Sequence, residues 1–424
     1  MSESAFQFDI VIVGAGPAGL AAACAAAESG QRVAVIDNTP WLGGQIWRGE
    51  QANPVLPLAR EWLPRFLRAR VTWLDRTTVI GTGNEGNVRA LLAEHPDGPR
   101  KIVWNKLILA TGARELFLPF PGWTLPGVLG PGGLLSLVKN GWPVAGKKVV
   151  VAGTGPLLLA VADGLKQHGA NIVCVAEQAA RGRVLSLGVQ LLRFPAKLAQ
   201  LAGLKARLAG VSQRYGVWPV RAVGREAVEA VELTDGRKRW TEACDLLACG
   251  FHLVPNLELP GLLGCALAHG FVRVNEWQAT GAEGIYCAGE ATGIGGAEGA
   301  LLEGRIAGYA AAGQLARARA LFAPRAASHR FRAALAGTFR LRPELKSLAA
   351  EDTTFCRCED VAFGRVKAFA HGRAAKLLTR CGMGACQGRT CGAAAKIIFG
   401  WEFESVRPPV LPARINSLLA QPKA

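Results

Sequence analysis

Five of the chain's eleven cysteines lie between residues 356 and 391, as Cys356-Arg-Cys358 and Cys381-Gly-Met-Gly-Ala-Cys386-Gln-Gly-Arg-Thr-Cys391. Thiolates are soft ligands, and four of them suit either zinc or an iron–sulfur cluster. A structural zinc ribbon commonly pairs two Cys-x2-Cys knuckles, whereas this chain offers a Cys-x-Cys and a Cys-x4-Cys separated by 27 residues. The spacing favours iron–sulfur. It does not choose among Cys381, Cys386 and Cys391, which follow one another at the same interval, so five cysteines compete for four places. Glycines 382, 384, 388 and 392 leave backbone amides free to approach the sulfurs, and Arg380 and Arg389 add positive charge; both features raise a cluster's potential. The other six cysteines, Cys24, Cys174, Cys244, Cys249, Cys265 and Cys287, are isolated. No Cys-x-x-Cys accompanies them, so they read as small buried hydrophobes rather than as a disulfide-reductase pair.

A second set of residues points to nucleotide binding. Phe8 to Val13 is a short β-branched run ending in Gly14-Ala-Gly16-Pro17-Ala18-Gly19, followed by an alanine-rich helical stretch through Glu28. Gly14 permits the turn, Gly16 lets the backbone approach a pyrophosphate, and Gly19 allows close helix–strand packing at a helix N-terminus. The next strand, Gln31 to Ile36, ends at Asp37, 18 residues beyond Gly19, where a carboxylate can take a ribose 2'-hydroxyl. The pattern recurs at Lys147 to Gly153, Thr154-Gly155-Pro156, a helix to Gln167, and a strand from Asn171 to Ala176 ending at Glu177. There Leu158 holds the third glycine position, and Glu177 disfavours a 2'-phosphate. The expectation is a second nucleotide fold that is either purely structural or occupied, with NAD, ATP and FMN as options.

Length and composition bound the rest. At 424 residues, half of them apolar, the chain has room for two or three domains of α/β type. No run reaches the roughly 18 to 20 apolar residues of a membrane span, and Met1 to Phe8 lacks a signal-peptide pattern. With an odd number of cysteines, this predicts a cytoplasmic protein, any membrane association running through partners or the electron acceptor. The formal charge of +17 is concentrated in arginines from Arg305 to Arg342. A solvated basic helix face, an acidic protein partner or a phosphate cofactor each accounts for it better than nucleic acid, for which no recognition motif is present. Six histidines and three tyrosines form no acid–base constellation, and His252 reads as a packing residue.

Two later segments resemble the pattern of FAD-dependent oxidoreductases with two dinucleotide domains. These are Leu107-Ile-Leu-Ala-Thr-Gly-Ala113, breaking at Thr111-Gly112, and Gly284-Ile-Tyr-Cys-Ala-Gly289-Glu290, where the acid holds the ribityl chain. The family usually has aspartate at that place, so Glu290 is a departure. The resemblance implies two Rossmann-like folds, the second inserted in the first, plus a small C-terminal helical domain. We expect an FAD-binding domain at 1–120 and 241–313, a second dinucleotide domain at 121–240, a basic linker at 314–350, the cysteine domain at 351–400 and a tail at 401–424. Pro119 to Pro126 and the Asp235-Gly236 turn are the expected crossing points.

Cys-Arg-Cys-Glu-Asp-Val, Thr379-Arg380, Gly382-Met383-Gly384 and Cys386-Gln-Gly-Arg-Thr-Cys391 resemble the [2Fe-2S] domain named after bacterioferritin-associated ferredoxin. That likeness implies Cys356, Cys358, Cys386 and Cys391 as ligands and Cys381 as a spare thiol beside them. Gly43-Gly44-Gln45-Ile-Trp-Arg48, Ala110 to Glu115, Pro121 to Gly127, Gly153 to Leu159 and Gly250 to Asn256 are similar to the A or alpha subunits of heteromeric amino-acid and opine dehydrogenases. That group includes the A subunits of octopine and nopaline oxidases, the alpha subunits of hydroxyproline dehydrogenases and the B subunit of hydrogen cyanide synthase. It implies an amino-acid-oxidase-like flavoprotein partner, with room for a small ferredoxin-like protein in the complex. It also implies an amino-acid, imino-acid or opine substrate oxidised at a C–N bond, with electrons leaving through the cluster. Gln45 is expected to line the flavin on the same ground. Two other readings stand beside this one: a non-catalytic electron-transfer and assembly module, and an NAD(P)H-dependent reductase feeding the cluster.

Overall fold

The computed structural model describes residues 6–51, 54–83, 88–402 and 406–419, and it divides into two compact units. The first comprises residues 1–114, 255–332 and 405–424; the second comprises 115–254 and 333–404.

The first unit is built on parallel pairing of apolar strands, of which Val33–Ile36 is wholly buried and Gly98–Leu109 is buried at its carboxyl end. Phe6–Val13 lies between Val33–Ile36 and Gly98–Leu109, with Val71–Leu74 outside the former and Ile285–Cys287 paired to the end of the latter. The registers Val13 with Ile36, Val13 with Leu109 and Cys287 with Leu109 bring four carboxyl ends to one edge. The segments that follow those ends are the glycine turn, Asp37, Thr111-Gly112 and Gly289-Glu290, and in open α/β sheets this edge is where ligands bind. An antiparallel pair, Thr78–Thr82 and Ala90–His95, extends the sheet beyond Gly98–Leu109.

Helix Pro17–Ala27 is alanine-rich and buried from Ala18 to Ala26. It packs on Ala297–Ala311, where small residues let the two backbones meet: a Cβ added to Gly304 would run into the Ala18 carbonyl oxygen.

The second unit holds a parallel sheet in the order Ser212–Tyr215, Asn171–Glu177, Lys148–Gly153, Leu246–Gly250, Val128–Leu129. A three-stranded antiparallel sheet of Trp218–Val223, Ala230–Thr234 and Arg239–Ala243 accompanies it. Asp235-Gly236 makes the tight turn between its last two strands and lies inside this unit.

The cysteine-rich end belongs to the same unit. It is a short hairpin, Thr354–Cys356 with Val361–Ala362, followed by helices Phe363–Lys367, Gly372–Thr379 and Cys391–Phe399. Phe355, Val361, Cys381, Cys391 and Ala394 share one apolar core with Phe120, Trp123, Val150 and Phe251, and the Trp123 indole donates to the Thr354 carbonyl at 2.6 Å. The fold is thus the expected α/β pair of Rossmann-like folds with a small helical, cysteine-bearing end.

Candidate functional site

In the first unit the glycine turn is tied to the neighbouring strand by the Gly14 N–H, which donates to the Ile36 carbonyl at 2.8 Å. Gly14 sits at φ +109, and a Cβ at Gly19 would collide with the Gly14 carbonyl oxygen, so both positions require glycine. Gly16 caps the helix without a side-chain partner, Pro17 opens it, and Ala18 is buried beneath the turn. A Cβ at Gly16 would meet nothing within 4 Å, which leaves the helix amides open on that side.

Asp37 accepts from the Ala15 N–H at 2.7 Å through Oδ2 and from the Thr39 N–H at 2.9 Å through Oδ1. The loop carrying Gly44 and Gln45 lies on the turn: Gly43 donates to the Ala15 carbonyl, and a Cβ on Gly44 would come within 2.9 Å of the Gly16 Cα. Trp47 anchors this loop in the core, whereas Gln45 is exposed. Thr111 is clamped by Asn256, its hydroxyl donating to the Asn256 carbonyl at 2.9 Å and its own carbonyl accepting from Nδ2 at 2.8 Å; Gly112 follows at φ +67.

Glu290 accepts the Gly296 N–H at 2.9 Å through Oε1, while its buried Oε2 has no partner among the described residues. Burial pushes this carboxyl above its ordinary value, opposed by the Gly296 and Gly295 amides. A buried acceptor left unmade is costly and calls for a donor from a bound group. With the open helix amides, this orphaned oxygen fits the hydroxyl and pyrophosphate chemistry of FAD.

Sequence reasoning missed the group beneath this site. Glu303 is 3% exposed and accepts from the Gly289 N–H at 2.9 Å, the Thr292 hydroxyl at 2.6 Å, His329 Nε2 at 2.8 Å and Arg332 at 3.4 Å. A carboxylate inside an alanine–glycine helix was the available signal, but its partners lie some thirty residues on, in the stretch read as a basic linker.

In the second unit Gly153 and Gly155 take φ +131 and +99. A Cβ on Gly153 would collide with the Gly250 carbonyl, whereas at Gly155 it would meet open space. Leu158 is buried in the core. Glu177 is turned inward, accepting from Thr154 Oγ1 and the Ala179 N–H through Oε1 and from the Gly155 N–H through Oε2, at 2.7 to 2.8 Å. Burial pushes its carboxyl up to about 7 despite these donors. His252, at φ +119, offers its carbonyl to the Leu116 N–H, and its side chain is held below the usual histidine range by burial.

The structure brings the five C-terminal cysteines together as a trio and a pair. The sulfurs of Cys356, Cys381 and Cys391 lie within 4.8 Å of one another, all buried. Cys358, which is exposed, hydrogen-bonds with the half-buried Cys386. Hydrogen bonds from Cys381 and then Cys391 draw the Cys356 thiol down to about 2, and the Gly382 N–H adds a donor at 3.4 Å. Burial acts against ionisation at Cys386, but the Thr390, Gly388 and Arg389 amides leave it below the ordinary thiol value.

One acidic thiol in each group, ringed by backbone amides, is a donor set that could hold a metal–thiolate centre. A [2Fe-2S] cluster needs two thiolates on each iron. Of the expected ligands, the structure groups Cys356 and Cys391 with Cys381, the expected spare thiol, and sets Cys358 with Cys386. The remaining six cysteines are buried, and burial raises the thiols of Cys24 and Cys174 to about 11 and Cys244 to about 12.

The sequence profile of the pyridine nucleotide-disulphide oxidoreductases matches residues 8–320. The chain belongs to that family. It is thereby one of the FAD-dependent oxidoreductases, and it is similar over most of its length to named subunits. It is 32% identical to hydrogen cyanide synthase subunit HcnB of Pseudomonas protegens, over 90% of this chain and 89% of that one. It is 31% identical to the opine oxidase A subunit of Agrobacterium tumefaciens, over 98% and 92%. The L-proline dehydrogenase of P. horikoshii shares the fold at a TM-score of 0.68 and 22% identity, over 99% of this chain and 80% of that one. Among the described residues of this family member, no helix is long and apolar enough to cross a membrane.

Proposed function

We propose that this chain is the flavin and iron–sulfur subunit of a multi-subunit dehydrogenase that oxidises a C–N bond of an amino acid, imino acid or opine. The observation that carries the reading is the convergence of five cysteines into a thiolate pair and trio, in a chain whose first nucleotide fold presents the orphaned Glu290 oxygen and open helix amides of an FAD site. The names of its relatives, the A subunit of opine oxidase and the HcnB subunit of hydrogen cyanide synthase, support an opine-type substrate and a multi-subunit assembly; the amino-acid-oxidase-like partner rests on the sequence resemblance.

FAD, when bound, supplies the step between two-electron and one-electron transfer. The chain's own residues hold it: Gly14, Gly16, Pro17, Ala18 and Gly19 at the pyrophosphate, Asp37 at the ribose, Gly44, Gln45, Thr111 and Gly112 along its length, and Gly289 and Glu290 at the ribityl chain. Glu303 fixes the Gly289 amide from below. In the same reading Cys356, Cys358, Cys386 and Cys391 hold the cluster, and Gly153, Gly155 and Glu177 frame a second nucleotide. The cysteine end acts as the exit for electrons, and the complex works in the cytoplasm.

The test is co-purification with a candidate amino-acid-oxidase-like protein, followed by assay of the complex and of the isolated chain with an artificial electron acceptor and a panel of amino acids, imino acids and opines. Turnover by the complex that bleaches flavin in both proteins supports the proposal. Turnover with NADH and with none of the amines contradicts it in favour of the reductase reading.

A further inference from the structure

We propose that the surface around Cys358 is the docking face for a small acidic one-electron carrier protein, an inference that rests on the cluster proposed above. Of the eleven cysteines only Cys358 is exposed. The same end of the chain leaves three large apolar side chains uncovered, with Leu377 64%, Leu378 69% and Met383 39% exposed. The turn that carries Met383 and follows the leucines lies on the cysteine: the Met383 N–H donates to the Arg380 carbonyl, the Arg380 guanidinium pairs with Glu359 at 2.7 Å, and Gly384 lies against the Cys358 Cβ and Glu359.

Leu377 and Leu378 stand at the end of a helix that buries Ala375, and most of their surface is open to a partner. They mark a contact surface. Basic groups outnumber acids in this part of the chain: Arg380 is paired with Glu359 and Asp360 is exposed, but residues 351–400 hold eight lysines and arginines, Arg357 and Lys376 among them, against four acids. A small apolar patch in a basic region fits a transient acidic partner, because such encounters bury little area and are steered by charge.

The carrier's metal would gain the electron that the reduced cluster loses, with no bond made or broken and no proton moved. An exposed ligand sulfur at the centre of the contact shortens the path between the two centres. A bilayer is a poorer fit, since the leucines occupy one end of an eight-residue helix, Gly372–Thr379.

The experiment uses the full chain with its cluster, reduced by limiting dithionite and mixed by stopped flow with an acidic c-type cytochrome, a basic one of similar potential, or neutral p-benzoquinone. We expect the acidic cytochrome to reoxidise the cluster at least ~10-fold faster than the basic one at low salt, with the advantage falling as salt rises. Lys376→Glu with Leu378→Glu should remove about tenfold of that rate, in line with lost steering, and leave the benzoquinone rate and the cluster's visible spectrum unchanged. Lys376→Ala is the milder second variant and should show the same trend.

Equal rates with the two cytochromes, or variants that keep the full rate, overturn the proposal. So does capture of the chain by phosphatidylglycerol vesicles without a carrier preference, or loss of the partner flavoprotein in the variants. Absence of a cluster spectrum in the unmodified chain defeats the underlying cluster reading instead, so the two failures are told apart.

Discussion

His329 Nε2 stands 2.8 Å from Glu303 Oε1, and the other oxygen of the same carboxylate receives the Gly289 N–H at 2.9 Å. The loop that presents Glu290 is therefore held from beneath by a buried acid that also engages His329 and Arg332 of helix Phe322–Thr338. Removing that acid leaves the buried Gly289 amide without its acceptor, while the Thr292 hydroxyl and the Arg332 guanidinium keep only the Gly289 and Gly293 carbonyls. We predict that Glu303→Ala costs about 3 kcal/mol in urea unfolding, in the range for breaking a buried ion pair, and lowers FAD content on purification. Glu303→Gln, which keeps an acceptor, should cost only about 1 kcal/mol.

The pH dependence of the second unit should carry the signature of Glu177. Its carboxyl titrates near 4.5 in the unfolded chain and near 7 in the fold, because burial favours the neutral form. Between those values the folded state holds the extra proton, so stability falls as pH rises through this window and the loss is complete above it. We expect the wild type to lose about 1–3 kcal/mol more than Glu177→Gln between the two ends, read by chemical denaturation at a series of pH values.

Backbone contact within the first unit predicts a sharper effect at Gly304. A side chain there would press on the Ala18 carbonyl, between two helices that meet through alanine and glycine. Gly304→Val should cost about 3 kcal/mol or more by overpacking and weaken FAD binding, because Ala18 lies in the glycine turn's own helix. Thermal unfolding and flavin content check it together.

Much of this was legible in the residues. The runs at Phe8 and Lys147, each breaking at glycine and resuming as helix, are local signals, and the two Rossmann-like folds follow from them. Asp37 and Glu177 fall at the ends of the next strands for the same reason, since strand length and turn length are set within some thirty residues. Glu303, His329 and Arg332 were not legible, because their meeting depends on where a distant helix lands. The shared core of Trp123, Phe355 and Cys391 is equally non-local: nothing in the spacing says that the cysteine-rich end packs against the second nucleotide fold. Spacing also treats Cys381, Cys386 and Cys391 alike, whereas their burial and hydrogen bonds place Cys386 with Cys358 and the other two with Cys356.

That division makes the cysteines individually testable. Serine at Cys358 or Cys386 should each abolish the cluster's visible absorbance, as should serine at Cys356 or Cys391. Serine at Cys381 should retain it with a shifted potential, since a thiol in contact with Cys356 is replaced by a hydroxyl. Retention in Cys391→Ser together with loss in Cys381→Ser would exchange the roles of those two residues.

The central claim is that this chain couples a flavin to an iron–sulfur centre, and the most direct measurement is an anaerobic reductive titration of the purified chain followed by electron paramagnetic resonance, with iron and sulfide analysis alongside. We predict about two irons and two sulfides per chain, and a [2Fe-2S] signal that grows as the flavin absorbance bleaches. Flavin bleaching with no iron, no sulfide and no paramagnetic signal would contradict it.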